Sequence, residues 1–319
     1  MKIVYITGCL GFIGSHFTRK MLEMGYFVHG IDKKTYAANE CVLSEFMKFK
    51  NFKFECIGIE DIEHMVDCDA IINFAAESHV GKSVINGDSF ITSNIAGVKN
   101  ILDIIRKKPE NETEWPLFLH ISTDEVYGDI VKDSHKESDI LCPSNPYSAS
   151  KAAADMLTIA WGRTYDIPYN IVRPTNNYGT HQYPEKLIPL CVKNILRNKK
   201  IHLHDAGAPI RNWLHVEDTV SAIITVLESG KRNEIYNVAG GYEQQNKDTV
   251  RKVLKAFFGP DLVDEKFDTF VDLKYKRAGQ DVRYAVSDAK LRELGWAPSK
   301  VFDDAIGDIV EFYKSQSRW

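Results

Sequence analysis

The apolar run Ile3-Val4-Tyr5-Ile6 leads directly into Thr7-Gly8-Cys9-Leu10-Gly11-Phe12-Ile13-Gly14, a G-x-x-G-x-x-G turn between a first strand and a first helix. Glycine is required where a backbone turns sharply or is approached closely, and a helix opening there presents unpaired N–H groups and a partial positive charge. A plain structural turn also uses glycine, so the pattern downstream decides the reading. Short apolar runs recur at Phe27-Val28-His29-Gly30-Ile31, Ala70-Ile71-Ile72-Asn73-Phe74, Leu117-Phe118-Leu119-His120-Ile121 and Tyr169-Asn170-Ile171-Val172-Arg173, with longer amphipathic stretches between them. Within 94–107, Ile95, Val98, Ile101, Leu102 and Ile105 fall at helical spacing. This is the rhythm of an α/β fold with a doubly wound parallel sheet covered on both faces.

In that setting Gly8, Gly11 and Gly14 form a cradle for a pyrophosphate. Asp32 follows 18 residues after Gly14, at the end of the second strand, where a carboxylate can take both ribose hydroxyls and repel a 2′-phosphate. NAD is therefore the expected cofactor over NADP. Lys33 and Lys34 pull the other way, since neighbouring cations tolerate a phosphate.

A second cluster begins where the strand 117–121 ends: Ser122-Thr123-Asp124-Glu125, followed by Tyr147 and Lys151. Four residues apart on a helix, Tyr147 and Lys151 stand on one face. A phenol with a reference pKa near 10 becomes a base at neutral pH only if a nearby cation stabilises phenolate, and Lys151 and a positive nicotinamide ring would do that. Two adjacent carboxyls can divide roles if their surroundings differ, one kept protonated as an acid and the other ionised as a base. The plain alternative is that Asp124 caps the following turn and Glu125 is solvated.

The 319 residues can bury a full core as one domain or two. A net charge of -4 argues against nucleic acid as a partner. No apolar run reaches the roughly 18 residues of a membrane span. Six scattered cysteines without a C-x-x-C pair, and apolar structure already at Ile3, suggest a reducing cytoplasm. Past Pro174 strand-like pieces at 201–204 and 235–238 flank a helix around 219–228, and further helical patterns lie near 249–258, 288–294 and 303–314. His202 and His204 share a strand face, but no third ligand accompanies them, so no metal is expected. His215 reads as an anchor for the return into the larger lobe, and Trp296 as packing.

Taken in order, these motifs resemble the extended short-chain dehydrogenase/reductase superfamily and, within it, the nucleotide-sugar 4,6-dehydratases. The likeness runs through Asp32-Lys33-Lys34-Thr35-Tyr36-Ala37, Phe74-Ala75-Ala76-Glu77-Ser78-His79-Val80 and Arg173-Pro174-Thr175-Asn176-Asn177-Tyr178-Gly179. It continues through Pro184-Glu185-Lys186-Leu187-Ile188-Pro189, Arg211-Asn212-Trp213 and Tyr284-Ala285. The resemblance implies a Rossmann-type doubly wound parallel sheet, residues 1–175 with about 212–238, and a smaller C-terminal α/β substrate-binding lobe, residues 176–211 and 239–319. It implies NAD held by Gly8, Gly11, Phe12, Ile13, Gly14, Asp32, Lys33, Ala75, Ser122, Tyr147, Lys151 and Asn177. A nucleotide sugar would meet Ser78, Thr123, Asn176, Lys186, Leu187, Arg211, Asn246 and Arg277, and a homodimer is the expected assembly.

The implied chemistry is oxidation at C4 by Tyr147 with Lys151 and Thr123, removal of the C5 proton by Glu125, and protonation of the departing 6-hydroxyl by Asp124. Sister epimerases carry a small or hydroxyl residue at the Asp124 position, and glucuronate decarboxylases read S-T-S-E there. Asp124 thus favours dehydration. Several departures bear on the substrate instead. The usual S-H-V-D-R-S is Ser78-His79-Val80-Gly81-Lys82-Ser83, G-D-G is Asp205-Ala206-Gly207, and G-H-D is Gly279-Gln280-Asp281. The G-D-I that often meets adenine is Gly58-Ile59-Glu60. UDP-glucose or an N-acetylated UDP-hexose therefore stands beside dTDP-glucose as substrate. An epimerase, or a non-catalytic NAD-binding member, is the alternative reading.

Overall fold

The computed structural model describes residues 2–107, 115–276 and 281–316. Its strands in chain order are β1 (Ile3–Thr7), β2 (Phe27–Ile31), β3 (Phe52–Glu55), β4 (Ala70–Asn73), β5 (Leu117–Ile121) and β6 (Tyr169–Pro174). They continue as β7 (Asn176–Tyr178), β8 (Ile201–His204), β9 (Ile210–His215), β10 (Glu234–Val238), β11 (Tyr242–Gln245) and β12 (Val271–Tyr275). Seven form one sheet in the order β10-β6-β5-β4-β1-β2-β3, every pair parallel. The order reverses between β1 and β4. At such a switch point the two following connections leave toward opposite faces, and a crevice opens beyond the carboxyl ends of the strands.

Alternating faces of these strands feed two apolar clusters. On one side Val4, Ile6, Val28, Ile72 and Leu119 meet Phe17 and Met21 of the helix Phe12–Glu23 and Ile223 of the helix Val216–Ser229. On the other, Tyr5, Ile71, Phe118 and Ile171 meet Val98, Ile101, Leu102 and Ile105 of the helix Gly97–Arg106, together with Ala154 of the helix Pro146–Tyr165. The helix expected over 94–107 begins as a π-helix, Ile91–Ala96, before settling into α geometry. Trp296 packs in the first cluster and donates from Nε1 to Ser221 Oγ at 2.9 Å. His215 accepts the Glu217 backbone N–H and so caps the helix that leads back to the large sheet.

A third apolar cluster gathers Ile188, Cys191 and Val192, Val250, Val253 and Leu254, and Phe302, Ile306 and Val310, from three helices of the second half of the chain. Beside it β11, β9 and β7 make a three-stranded sheet, and β12 pairs with β8. The strand piece at 235–238 lies in the large sheet, as β10 against β6. His202 packs on Tyr275, with ring centroids 4.1 Å apart, through the β12–β8 pairing. Among the described residues no helix is long and apolar enough to cross a membrane.

Candidate active site

The glycine turn sits at the switch point. Gly8 adopts φ +66, and a Cβ there would stand 2.7 Å from the Ala75 nitrogen. A Cβ on Gly14 would come within 2.1 Å of the Gly8 carbonyl oxygen, and Gly11 N–H closes the turn onto that oxygen at 3.0 Å. The backbone is thus folded tightly enough to leave the opening of the helix Phe12–Glu23 bare toward the cleft, as a pyrophosphate requires. Asp32 accepts the Leu10 N–H at 3.1 Å and the Lys34 N–H at 2.8 Å, which fixes its carboxyl at the end of β2; burial raises its pKa. Lys33 donates to Glu60 Oε1 at 2.9 Å and Ser93 Oγ at 2.6 Å. Lys34 lies 5.7 Å from the Phe54 ring centre. The Lys33 cation is therefore matched to a carboxylate, which removes the argument that it would welcome a 2′-phosphate.

All twelve residues expected to hold NAD line one cleft, and Thr123, Asp124, Glu125, Ser78, Asn176 and Lys186 line it with them. Leu187 and Asn246 open helices outside its lining, Leu187 on the helix Leu187–Leu196 and Asn246 on Asn246–Phe258. Arg211, on β9, is also outside the lining, yet its charge acts on Asp124. Its guanidinium lies 4.4 Å above the Tyr284 ring and donates to the Asp281 carbonyl at 3.2 Å. Arg277 lies outside the described residues. Lys186 Nζ donates to the Ser78 carbonyl at 2.8 Å, joining the two sides of the cleft mouth.

At the reacting end, Asn145 and Ser148 form a reciprocal capping box that starts the helix Pro146–Tyr165 and sets Tyr147 and Lys151 into the cleft. Thr123, and not Asp124, caps the short turn Asp124–Tyr127, taking the Glu125 N–H at 3.2 Å. The Thr123 hydroxyl donates to Asp124 Oδ1 at 3.2 Å, while Asp124 Oδ2 is buried without a hydrogen bond. Desolvation, with the Glu125 charge adding to it, pushes Asp124 up to about 8. The neighbouring carboxyls thus differ: Asp124 is an acid that keeps its proton at neutral pH. Glu125 faces the Tyr284 hydroxyl at 3.4 Å.

Tyr147 and Lys151 meet different partners. Lys151 Nζ donates to the Ile121 carbonyl at 2.7 Å, and its charge is not among the leading influences on Tyr147. Burial, followed by the Glu125 charge, raises the Tyr147 phenol instead of lowering it, with Asp124 and Asp155 adding smaller increments. Lys151 is itself brought down to about 8 by desolvation. A bound nicotinamide ring would add positive charge beside that of Lys151, which favours phenolate.

Behind these groups lies a buried polar chain that motif reading missed. Thr7 Oγ1 donates to Asn73 Oδ1 at 2.6 Å, and Asn73 Nδ2 meets His120 Nδ1 at 3.1 Å. His120 Nε2 lies 3.6 Å from Asp155 Oδ1, and Arg173 Nε donates to Asp155 Oδ2 at 2.9 Å. Asn94, on the π-helix, was missed too: it takes the Glu77 N–H at 2.8 Å and donates to Ser150 Oγ at 2.9 Å. A π-turn displaces one helical position, and such turns gather at functional sites. Thr7 and Arg173 stand inside the glycine turn and the Arg173–Gly179 stretch, but local sequence does not signal their link to Asn73, His120 and Asp155, which becomes visible when register sets β4 beside β5 and β5 beside β6.

A switch-point cleft with a glycine cradle, and a Tyr147/Lys151 helix over Thr123, define a dinucleotide-dependent α/β enzyme of the short-chain dehydrogenase/reductase type. The family model described as GDP-mannose 4,6 dehydratase matches residues 5–309. The chain belongs to that family of nucleotide-sugar dehydratases. It is 38% identical to dTDP-glucose 4,6-dehydratase of Salmonella typhimurium over 100% of this chain and 94% of that protein. It is 38% identical to the low-salt glycan biosynthesis protein Agl12 of Haloferax volcanii over 97% of this chain and 98% of that one. The solved structure of the dTDP-glucose 4,6-dehydratase DesIV from Streptomyces venezuelae, with NAD bound, superposes with a TM-score of 0.90 at 36% identity, covering 98% of this chain and 97% of its own.

Proposed function

We propose that the protein catalyses NAD-dependent 4,6-dehydration of a nucleotide hexose, dTDP-glucose or UDP-glucose, to the 4-keto-6-deoxy sugar. The observation that carries this reading is the pair Asp124 and Glu125, adjacent in sequence yet unequal in burial: Asp124 is enclosed with Oδ2 lacking a hydrogen bond, while Glu125 is partly exposed. Full-length likeness to dTDP-glucose 4,6-dehydratases supports it. Gly8, Gly11 and Gly14 would hold the pyrophosphate of NAD and Asp32 its ribose. When bound, NAD would supply a hydride acceptor for C4 and, once reduced, a hydride donor for C6.

The side chains manage the protons. Tyr147 takes the proton of the 4-hydroxyl, and Thr123 orients that oxygen. A C4 ketone acidifies C5–H, which Glu125 removes while Asp124 protonates the leaving 6-hydroxyl. Glu125 then returns its proton to C5. Asn176, Lys186, Leu187, Arg211, Asn246 and Arg277 would grip the nucleotide diphosphate, with Arg211 and Arg277 suited to paired phosphate oxygens, and Ser78 would also meet the substrate.

Residues 1–175 with about 212–238 form the dinucleotide lobe in this reading, and 176–211 with 239–319 the sugar-nucleotide lobe; two apolar clusters follow that division in the main, with Leu291 and Trp296 packing into the first and Trp213 into the second. A homodimer follows from the family likeness, and a cytoplasmic location fits six free cysteines. The test is turnover of dTDP-glucose, UDP-glucose and UDP-N-acetylglucosamine side by side, read by mass spectrometry. Loss of one water with NAD retained is the expected result for at least one of the first two. NAD bound without turnover of any hexose nucleotide would overturn the reading in favour of a binding role.

A further inference from the structure

The dehydration leaves a proton imbalance inside the site. Tyr147 has gained the proton of the 4-hydroxyl, and Asp124 has given one to the departing water. Glu125 takes the C5 proton and gives one back, so it ends as it began. In every cycle Tyr147 must therefore lose one proton and Asp124 regain one before the next sugar can react. Both groups are enclosed: Tyr147 is 8% exposed and Asp124 3%. A bound sugar would shut the remaining opening.

The only side chain joined by hydrogen bonds to both, among the described residues, is Thr123. A hydroxyl has one hydrogen to give and two lone pairs to offer. One lone pair of Thr123 Oγ1 is taken by the Glu125 backbone N–H at 3.2 Å, a fixed donor. An ionised Asp124 can only accept, so the Thr123 hydrogen points to its Oδ1 at 3.2 Å. The second lone pair is left for the Tyr147 hydroxyl, which can reach it only as a donor. With Asp124 ionised and Tyr147 protonated, as after dehydration, that assignment of lone pairs and hydrogens runs Tyr147 to Thr123 to Asp124.

We propose that the Thr123 hydroxyl is the wire that carries the proton from Tyr147 back to Asp124 and resets the site within each turnover. In the step, the Tyr147 O–H bond breaks as a new Thr123 O–H bond forms, while the original Thr123 hydrogen moves to Asp124 Oδ1. Tyr147 is left as phenolate, Asp124 as neutral acid and Thr123 unchanged. A half-turn of the Asp124 carboxyl about its soft terminal torsion then brings the proton to the position of Oδ2, the oxygen without an internal partner.

This inference rests on the dehydratase reading, and its test separates the two. Rapid-quench kinetics of NAD-loaded enzyme with whichever hexose nucleotide turns over would compare the wild type with Thr123→Val and Thr123→Ser. Valine should allow a first turnover, slowed by loss of the contact to the sugar, and then stall. Product should appear as a burst of about one per site, followed by a steady rate lower by roughly tenfold or more. Serine should abolish the burst and restore steady turnover. Equal slowing of first and later turnovers by valine, with no burst, would overturn the wire. If the valine variant does not fold, Thr123→Ala gives the same readout. Absence of water loss by the wild type from every hexose nucleotide would instead sink the dehydratase reading.

Discussion

His120 Nε2 and Lys151 Nζ lie 3.4 Å apart behind the cleft, both shut away from solvent. With Asn73 donating to Nδ1, the His120 proton sits on Nε2 and faces Asp155, and burial holds the ring neutral, its pKa well below the ordinary value. Lys151 keeps an ammonium against that uncharged neighbour and the Ile121 carbonyl. Because desolvation brings it to about 8, its charge is present below that pH and lost above it. Asp124, at about 8, loses its acid proton over the same interval. Turnover should therefore fall on the alkaline side near pH 8, more steeply than one ionisation allows. A kcat profile that stays flat to about pH 10, near the reference value of lysine, would contradict this.

The same carboxyl should limit stability. Asp124 is raised from 3.8 to about 8, so the unfolded chain releases its proton from about pH 4 upward while the folded protein holds it. Stability contributed below pH 4 is thus lost progressively as the pH climbs to 8. Asp124→Asn has no proton to lose and should be more stable than wild type at pH 8 by about 2–5 kcal/mol, and little different at pH 4. Urea unfolding at the two pH values reads the difference; parallel profiles would refute it. Dehydration by the variant should be lost.

Arg173 is 1% exposed, ion-paired to Asp155 at 2.9 Å and donating to the Tyr127 hydroxyl at 2.6 Å. Removing the guanidinium leaves the Asp155 carboxylate in a dry interior without its ion-pair partner, with only the more distant Lys151 charge to offset it. Arg173→Met should cost about 3–5 kcal/mol in urea unfolding. A loss under 1 kcal/mol would show that Asp155 simply takes up a proton.

Much of the dinucleotide end could be read in the sequence because it is local: turn, helix start and Asp32 follow from one stretch whose spacing dictates backbone geometry. The parallel sheet covered on both faces was legible for a similar reason, in the alternation of short apolar runs with longer amphipathic stretches. The link among His120, Asp155 and Arg173 was not, since these are ordinary polar residues brought together by the β4–β5–β6 register and one helix. The direction of the Tyr147 shift also escaped motif reading. Spacing places Lys151 one turn from Tyr147, but the Ile121 carbonyl competes for its ammonium at 2.7 Å.

Gly14 offers a test of the cradle that does not depend on which sugar is used. A methyl group there would meet the Gly8 carbonyl oxygen at 2.1 Å, and because the obstacle is backbone, the turn itself must open. Gly14→Ala should therefore release NAD during purification while the far apolar cluster around Val250 and Phe302 keeps its structure. Heat-released nicotinamide nucleotide per chain, measured beside circular dichroism, should drop to a small fraction of wild type with helical signal retained. Undiminished NAD in a folded Gly14→Ala protein would mean that the pyrophosphate does not lie on this turn.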